Sequence, residues 1–390
     1  MQIAISAPVD ITALAPYLDG TSGCMPRGLG STATTPLVAE LLNRGHEVSV
    51  FTLDSEVEKE LILRGSQLRI FVGPYRKSSR GRDFFQAEIE YLTRAVRRES
   101  PKFVHAHWTY EFALGALRAG ANTVVTIHDL PWVVLRFLPD CYRAARLCMA
   151  LQVARCKATF TAVSSDAARH FRKYLFGTQT IEVVPNFLPL RVLQMGKTIV
   201  PSHRQGLTFG SVLQGWTGTK NASSLLAAFS VARKALPNSR LIMIGSGYAP
   251  GGPAYSWARA KGLDSDVTFI GPLAHAEMLR TVQEHVDILV HPSRHEALSV
   301  TVMEAMAMGK PIIAGRHTPG QRFLLEEGNC GVLVDVGRVD ALAQAMIQLA
   351  RSSQNRERLG SRARASAWAR FHPDVVLPMY EHIYSQLLHA

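Results

Sequence analysis

Short apolar runs alternate with stretches of helical periodicity along this chain, and the pattern runs through twice. That alternation constrains the fold more than any other feature. In the first half the runs are "QIAIS", "EVSVFT", "QLRIFVG", "FVHAHW", "TVVTIHD", "TFTAVS" and "IEVVP", with amphipathic segments at 31–44, 84–99, 140–156 and 165–175 between them. Strand–helix alternation of this kind predicts a parallel sheet covered on both faces. Periodicity then lapses after Pro185, in the proline-bearing segment "NFLPLRVLQMGKTIVPSHRQG", which reads as a linker. The runs restart with "LTFGSVL", "RLIMIG", "VTFIG", "DILVHPS", "KPIIAG" and "CGVLVD", and the end of the chain, about 338–389, reads as all helix.

A length of 390 residues exceeds one ordinary core and suits two domains of roughly 150–200 residues. The expected architecture is α/β: two doubly wound, Rossmann-like parallel-sheet domains facing a cleft. The expected boundaries are 1–186, a linker at 187–205, 206–370, and a C-terminal helix at 371–390 that packs back on the first domain. In such sheets ligands sit beyond the carboxyl ends of the strands.

Apolar residues make up 47% and charged residues 19% of the chain, enough to fill both cores. No apolar run is long enough to span a bilayer, and "MQIAISAPVD" reads as a first strand instead of a signal peptide. The five cysteines, Cys24, Cys141, Cys148, Cys156 and Cys330, form no C-x-x-C pair. Their scatter favours a reducing compartment and small buried side chains. A formal charge of +12 favours phosphate-bearing partners. It is spread over both halves without a basic tail or an aromatic-rich basic stripe, which argues against nucleic acid.

The segment "HPSRHEALSVTVMEAMAMGKPIIAG", residues 291–315, carries Glu296 and Glu304 among small and apolar neighbours. Ser299 is the predicted N-cap of a helix stopped by Gly309 and Pro311. Glu296 then lies in the loop before the helix. Glu304 lies about five residues past the cap, roughly 7–8 Å along the axis. The helix start near Ala297, Leu298 and Ser299 is an anion site, and an acid on each side suits a phosphate flanked by polyols. The plain alternative is one acid in a cap region and one on a solvated face, but Glu304 is framed by core-type residues.

This segment resembles the E-x7-E segment of retaining glycosyltransferases with the two-domain GT-B fold, especially glycosyltransferase family four. "GLGSTATTPLVAELLNRGHEVSVFT" is similar to that family's glycine loop, first helix and following turn, and "FVHAHW" and "VVTIHD" to its central strands. "FTAVSSDAARHF", "IEVVPN", "RLIMIGSG", "VTFIGPL" and "GVLVD" follow in the family's order. The resemblance implies transfer of a sugar from a nucleotide diphosphate sugar with retained anomeric configuration. It implies that Glu304 binds ribose hydroxyls and that Glu296 holds donor-sugar hydroxyls, with the amides of Leu298 and Ser299 on sugar or phosphate. His128, after the fifth of the predicted strands, would contact the donor sugar near the reacting carbon; His107 and Asp129 are weaker candidates. Lys220, between a strand and a helix, can neutralise a leaving diphosphate. Family members place an arginine five residues earlier, where this chain has Gly215; Arg27 or Arg294 would then supply the second cation.

Gly28 and Gly30 precede the first helix and allow close backbone approach to a ligand. Gly245, Gly247 and the stretch Phe269–Gly271 would frame the base, although small residues there also serve as turn punctuation. No D-x-D-like motif is present, so neither metal nor cofactor is expected beyond the nucleotide sugar co-substrate. Same-face attack is expected, with the departing phosphate helping to deprotonate the acceptor.

The acceptor is expected on the N-terminal domain. The run from Trp132 to Leu138, including Phe137, is too apolar for a free loop, and Arg76, Lys77, Arg80 and Arg82 lie in "PYRKSSRGR". Apolar residues beside cations suit an anionic leaflet. They favour a glycan or lipid-linked glycan acceptor, cell-surface polysaccharide synthesis, and a cytoplasmic protein peripheral on the inner face of the membrane. The ordinary alternative is a buried helix start beside a solvated loop. Two other functions share this architecture: a sugar phosphorylase, and an inactive nucleotide-sugar-binding subunit, the latter kept open by Gly215.

Overall fold

A computed structural model describes residues 1–20, 25–196 and 206–389. Cys24 and the 197–205 part of the expected linker lie outside the described residues. The chain divides into two compact units, Met1–Asn186 with Val376–Ala390, and Phe187–Val375.

The first unit contains strands β1 (Gln2–Ser6), β2 (Glu47–Asp54), β3 (Leu61–Arg64), β4 (Leu68–Pro74), β5 (Val104–His107), β6 (Thr123–Ile127), β7 (Thr159–Ala162) and β8 (Ile181–Val183). They form one sheet in the order β3-β4-β2-β1-β5-β6-β7-β8. All pairs are parallel except β3 with β4. Its helices are α1 (Thr34–Asn43), α2 (Gln86–Glu99), α3 (Glu111–Arg118), α4 (Pro131–Phe137), α5 (Cys141–Ala154) and α6 (Ser165–Tyr174). β6 is buried along its whole length, as expected for a strand covered on both faces. β3 is not evident in the sequence: it is a half-buried edge strand, and the antiparallel partner β4 is what defines it. It also makes the strand before His128 the sixth.

The second unit holds α7 (Leu190–Met195), β9 (Thr208–Val212), α8 (Ala222–Ala235), β10 (Arg240–Ile244), α9 (Pro253–Ala260), β11 (Val267–Gly271), α10 (His275–His285) and β12 (Ile288–His291). It continues through α11 (Val300–Ala307), β13 (Ile312–Gly315), α12 (Gln321–Leu324), β14 (Val332–Val334), α13 (Val339–Arg351) and α14 (Ser353–Phe371), and the start of α15 (Pro373–His389). The sheet order is β11-β10-β9-β12-β13-β14, all parallel. Phe209, Phe229, Met243, Val290 and Ile313 lie at the centre of its core.

Two expected boundaries are corrected. Residues 187–196 are part of the second unit, not linker: Val192 and Leu193 are buried, Leu188 N donates to Phe371 O, and Gln283 Nε2 donates to Met195 O. Prolines break the periodicity there, but apolar burial still holds the segment. At the other end the division falls after Val375, not after residue 370. The remainder of α15 groups with the first unit, where the Tyr384 hydroxyl meets His105 Nδ1 at 2.6 Å.

Candidate active site

Each sheet reverses its winding direction at one place, and such switch points open a crevice beyond the strand ends. In the second unit the reversal lies between β9 and β12. The loop after β9 carries Lys220, two residues before α8, and the loop after β12 carries Glu296. Lys220 Nζ and Glu296 Oε1 are 2.7 Å apart. Ser293 Oγ donates to the same oxygen at 2.8 Å, and His291 Nε2 lies 3.3 Å from it. Burial pushes the Glu296 carboxyl up, but the His291 hydrogen bond and the Lys220 charge outweigh it, and the group is held well below the usual carboxylate range. Asn221 binds the loops together, donating from Nδ2 to Pro292 O at 3.1 Å and Val336 O at 2.7 Å. His291, Ser293 and Asn221 were not singled out in the sequence. His291 and Ser293 stand at the start of the quoted segment, but only the folded loop aims them at Glu296.

Ser299 caps α11, its Oγ accepting from Val302 N, as the sequence predicts. Glu304 is buried inside α11, and its Oε1 meets His275 Nε2, at the start of α10, at 2.6 Å. His275 comes from an element distant in sequence and was not anticipated.

Gly215, Gly245, Gly247 and Gly271 come together at the ends of β9, β10 and β11. Gly245 N donates to Gly271 O at 2.8 Å, and Gly215 N donates to Ser246 O at 3.0 Å. All four have positive φ, Gly215 at 84°. A Cβ on Gly245 would collide with the Leu213 carbonyl, so the close passage of these loops requires glycine. An arginine at 215 would pay the cost of the left-handed region. Arg294 is exposed beside Lys220, its backbone N–H on Thr219 O at 2.8 Å, whereas Arg27 lies in the other unit. Phe269 buries its ring edge-on against Tyr255.

In the first unit His128 follows β6. Its Nε2 lies 2.8 Å from His107 Nδ1, and its ring stacks on Trp108 with centroids 4.4 Å apart. Burial pushes the His128 imidazole down to about 3, partly offset by Asp129. His105 is likewise lowered to about 3 by burial and then by His128. His107, at the end of β5, falls well below its usual value through burial and its two histidine neighbours. All three rings are therefore neutral at pH 7. Asp129 accepts from the Tyr110 hydroxyl at 3.0 Å. After β1, Gly28 donates to Asp54 and Gly30 to Val9 O.

The basic loop departs from the expected patch of four available cations. Arg76 is held by Glu88 and Asp83, and Lys77 by Glu56. Arg80 donates to the Arg76 and Lys77 carbonyls and lies over the Tyr75 ring. Arg82 stays exposed. Trp132 and Phe137 on α4 are 49% and 37% exposed, and of that helix only Pro131 is buried. Among the described residues no helix is long and apolar enough to cross a membrane, and no three His, Cys, Asp or Glu side chains are grouped to hold a metal ion.

Two doubly wound sheets, each with polar and charged residues in the loops at its strand ends, are the architecture of the GT-B fold. The family described as "Glycosyltransferase Family 4" matches residues 30–192, and "Glycosyl transferases group 1" matches residues 215–366. The chain belongs to these GT-B glycosyltransferases. The D-inositol 3-phosphate glycosyltransferase of Corynebacterium glutamicum (strain R) is 25% identical over 386 residues, covering 90% of each chain. The N-acetyl-alpha-D-glucosaminyl L-malate synthase of Bacillus anthracis is 22% identical over 94% of this chain and 96% of its own. Sucrose-phosphate synthase from Thermosynechococcus elongatus shares the fold with a TM-score of 0.76 at 17% identity, over 100% of this chain and 99% of its own. Anabaena HepE, solved with UDP and glucose, has a TM-score of 0.65 at 18% identity over 91% of this chain and 95% of its own.

Proposed function

We propose that this glycosyltransferase moves a sugar from a nucleotide diphosphate sugar, with retention, to a glycan or lipid-linked glycan acceptor in cell-surface polysaccharide synthesis. The observation that carries the reading is the Lys220–Glu296 pair at the switch point of the second sheet, beside the start of α11. A diphosphate entering there exchanges a carboxylate for its own oxygens around the Lys220 ammonium, and Glu296 is released toward donor-sugar hydroxyls. The amides of Leu298 and Ser299 take sugar or phosphate oxygens. Glu304, steadied by His275, accepts from the ribose, and the glycine-lined ends of β10 and β11 approach the base. Gly28 and Gly30 lie against the donor phosphates or the acceptor. His128 contacts the donor sugar. Charge on the leaving group is met by Lys220 and the helix start without a metal ion, and the departing phosphate takes the acceptor's proton in same-face attack. No nucleic acid is involved. The protein works in the cytoplasm on the inner face of a membrane.

Support for a nucleotide sugar also comes from HepE, whose solved complexes include UDP-glucose. A thermal-shift screen over nucleotide diphosphate sugars tests the reading. A ligand at 100 times its Kd raises stability by about 2.7 kcal/mol. Glu304→Ala is expected to weaken nucleotide binding by about 10–100-fold, the range for a hydrogen bond to a charged group. Glu296→Ala is expected to lower turnover more than binding. Equal and negligible effects of both changes would overturn the assignment. The left-handed Gly215 favours a second reading, an inactive nucleotide-sugar-binding subunit, and nucleotide binding with neither transfer nor donor hydrolysis would establish it.

A further inference from the structure

The nitrogen of His128 nearest the protein interior is not free. His107 Nδ1 stands 2.8 Å from His128 Nε2, and one of the two must carry the proton between them. His107 decides which. It is 2% exposed, and its other nitrogen, Nε2, is buried with no hydrogen-bond partner among the described residues. A proton on that Nε2 would create an orphaned buried N–H, rarer in folded proteins than an unsatisfied acceptor. The proton therefore sits on Nδ1, and its acceptor in reach is the lone pair of His128 Nε2.

The surroundings hold both rings in this relation. His105 lies against His107, the rings tilted by 35° with centroids 4.1 Å apart, and is itself anchored by the Tyr384 hydroxyl and by Thr126 Oγ1, each at 2.6 Å. Trp108 lies flat on His128 with φ at 63°, a conformation that a bulky residue rarely adopts, and its N–H is tied to Thr126 O at 3.0 Å. Such strain persists only where the surroundings enforce it. The titratable and charged groups around His128 and its partner are thus His105 on β5, Asp129 after β6 with Tyr110 and the Arg146 guanidinium of α5 behind it, and Tyr380 and Tyr384 on α15, both against His105.

We propose that His107 is a positioning residue for His128: by donating from Nδ1 to His128 Nε2, it fixes His128 as the neutral tautomer that carries its proton on Nδ1. His128 then meets a ligand as a hydrogen-bond donor to oxygen, and its basic nitrogen is occupied. It is not the base that deprotonates the acceptor. This deepens the reading of His128 as a donor-sugar contact and rests on it for function; the tautomer itself does not.

Nitrogen-15 NMR of the histidine-labelled full chain tests the tautomer without substrate, with His128 identified by the signal lost in His128→Gln. Expected is a protonated Nδ1 and a bare Nε2, unchanged down to pH 5. A protonated Nε2 on His128 overturns the proposal. His107→Leu is expected to release the ring into a mixture of tautomers that titrates nearer the ordinary histidine range. It should lower kcat about tenfold, the effect of losing one ordinary hydrogen bond, while nucleotide affinity holds. His107→Asn, which keeps a donor, should restore both tautomer and turnover. A His107→Leu protein with the wild-type tautomer also overturns the proposal; if that variant does not fold, the wild-type spectrum decides. Full transfer by His128→Ala would refute the sugar-contact role and leave the tautomer standing.

Discussion

The two candidate centres use opposite electrostatics. The switch point of the second unit is ionic: Lys220, Glu296 and Ser293 meet at hydrogen-bond distance with His291 beside them. The strand ends of the first unit present neutral rings, three histidines, Trp108 and Tyr110, with the Asp129 carboxylate adjoining them and the Arg146 guanidinium behind, over the Tyr110 ring. A leaving diphosphate needs fixed positive charge, which a lysine at a helix start supplies. Orienting a neutral sugar needs directional donors in a rigid frame, which uncharged stacked rings supply without repelling one another. The centres should therefore fail under different stresses.

Acid should separate them most. His105, His107 and His128 have folded values below the ordinary 6.5, two of them at about 3. Between those limits the unfolded chain binds more protons, so stability falls as pH drops below 6.5 and is flat above it. Each withheld proton contributes about 1.4 kcal/mol per pH unit. The three together reach about 4 kcal/mol per pH unit in the lower part of the window. Glu296 is also depressed, from 4.5, so its contribution is lost only below that value. Hydrogen exchange at pH 7, 5.5 and 4.5 should show protection falling first around β5 and β6. Loss starting around β12 would break the comparison.

Removing charge comes next. Lys220→Ala is expected to lower turnover by about 10²–10³, the cost of deleting a charge-stabilising donor, and EDTA should leave wild-type turnover unchanged. Initial-rate assays with and without chelator measure both. EDTA inactivation reversed by magnesium would move the charge stabilisation from Lys220 to a metal.

The smallest effect concerns the surface of the first unit. With Arg76, Lys77 and Arg80 engaged, the proposed attraction to an anionic leaflet would rest on exposed Arg82 and on Arg136, which shares α4 with the exposed Trp132 and Phe137. At about 1 kcal/mol per cation, binding should be weak, reversible and abolished by salt. Liposome flotation with and without anionic lipid measures it, and Trp132→Ser with Phe137→Ser should release the protein without affecting nucleotide binding. Failure to float at low salt would shift the acceptor toward a soluble glycan.

Much of this molecule was legible from local pattern. The six strands of the second sheet each stand where an apolar run predicts them: β9, β12 and β13, buried throughout, leave a continuous signature, and the part-exposed β10, β11 and β14 still carry a run of apolar residues. Ser299 as a cap, Glu296 in a loop and Lys220 before a helix are likewise matters of a few neighbouring residues. The edge strand β3 and the helix in 187–196 escaped because pairing and packing with distant segments define them. The basic loop misled because sequence reveals charge but not partner: Glu88 and Glu56 neutralise Arg76 and Lys77 only once folded.

The sequence by itself determined the alternation, the two domains and the family's acidic motif, all properties of short segments with a fixed period. Tertiary structure alone decided which charges are spent. It placed Glu296 on Lys220, His275 on Glu304 and His107 on His128, pairs 76, 29 and 21 residues apart. No local period encodes such separations, and in a buried setting the partner, more than the residue type, sets protonation and the chemistry that remains available.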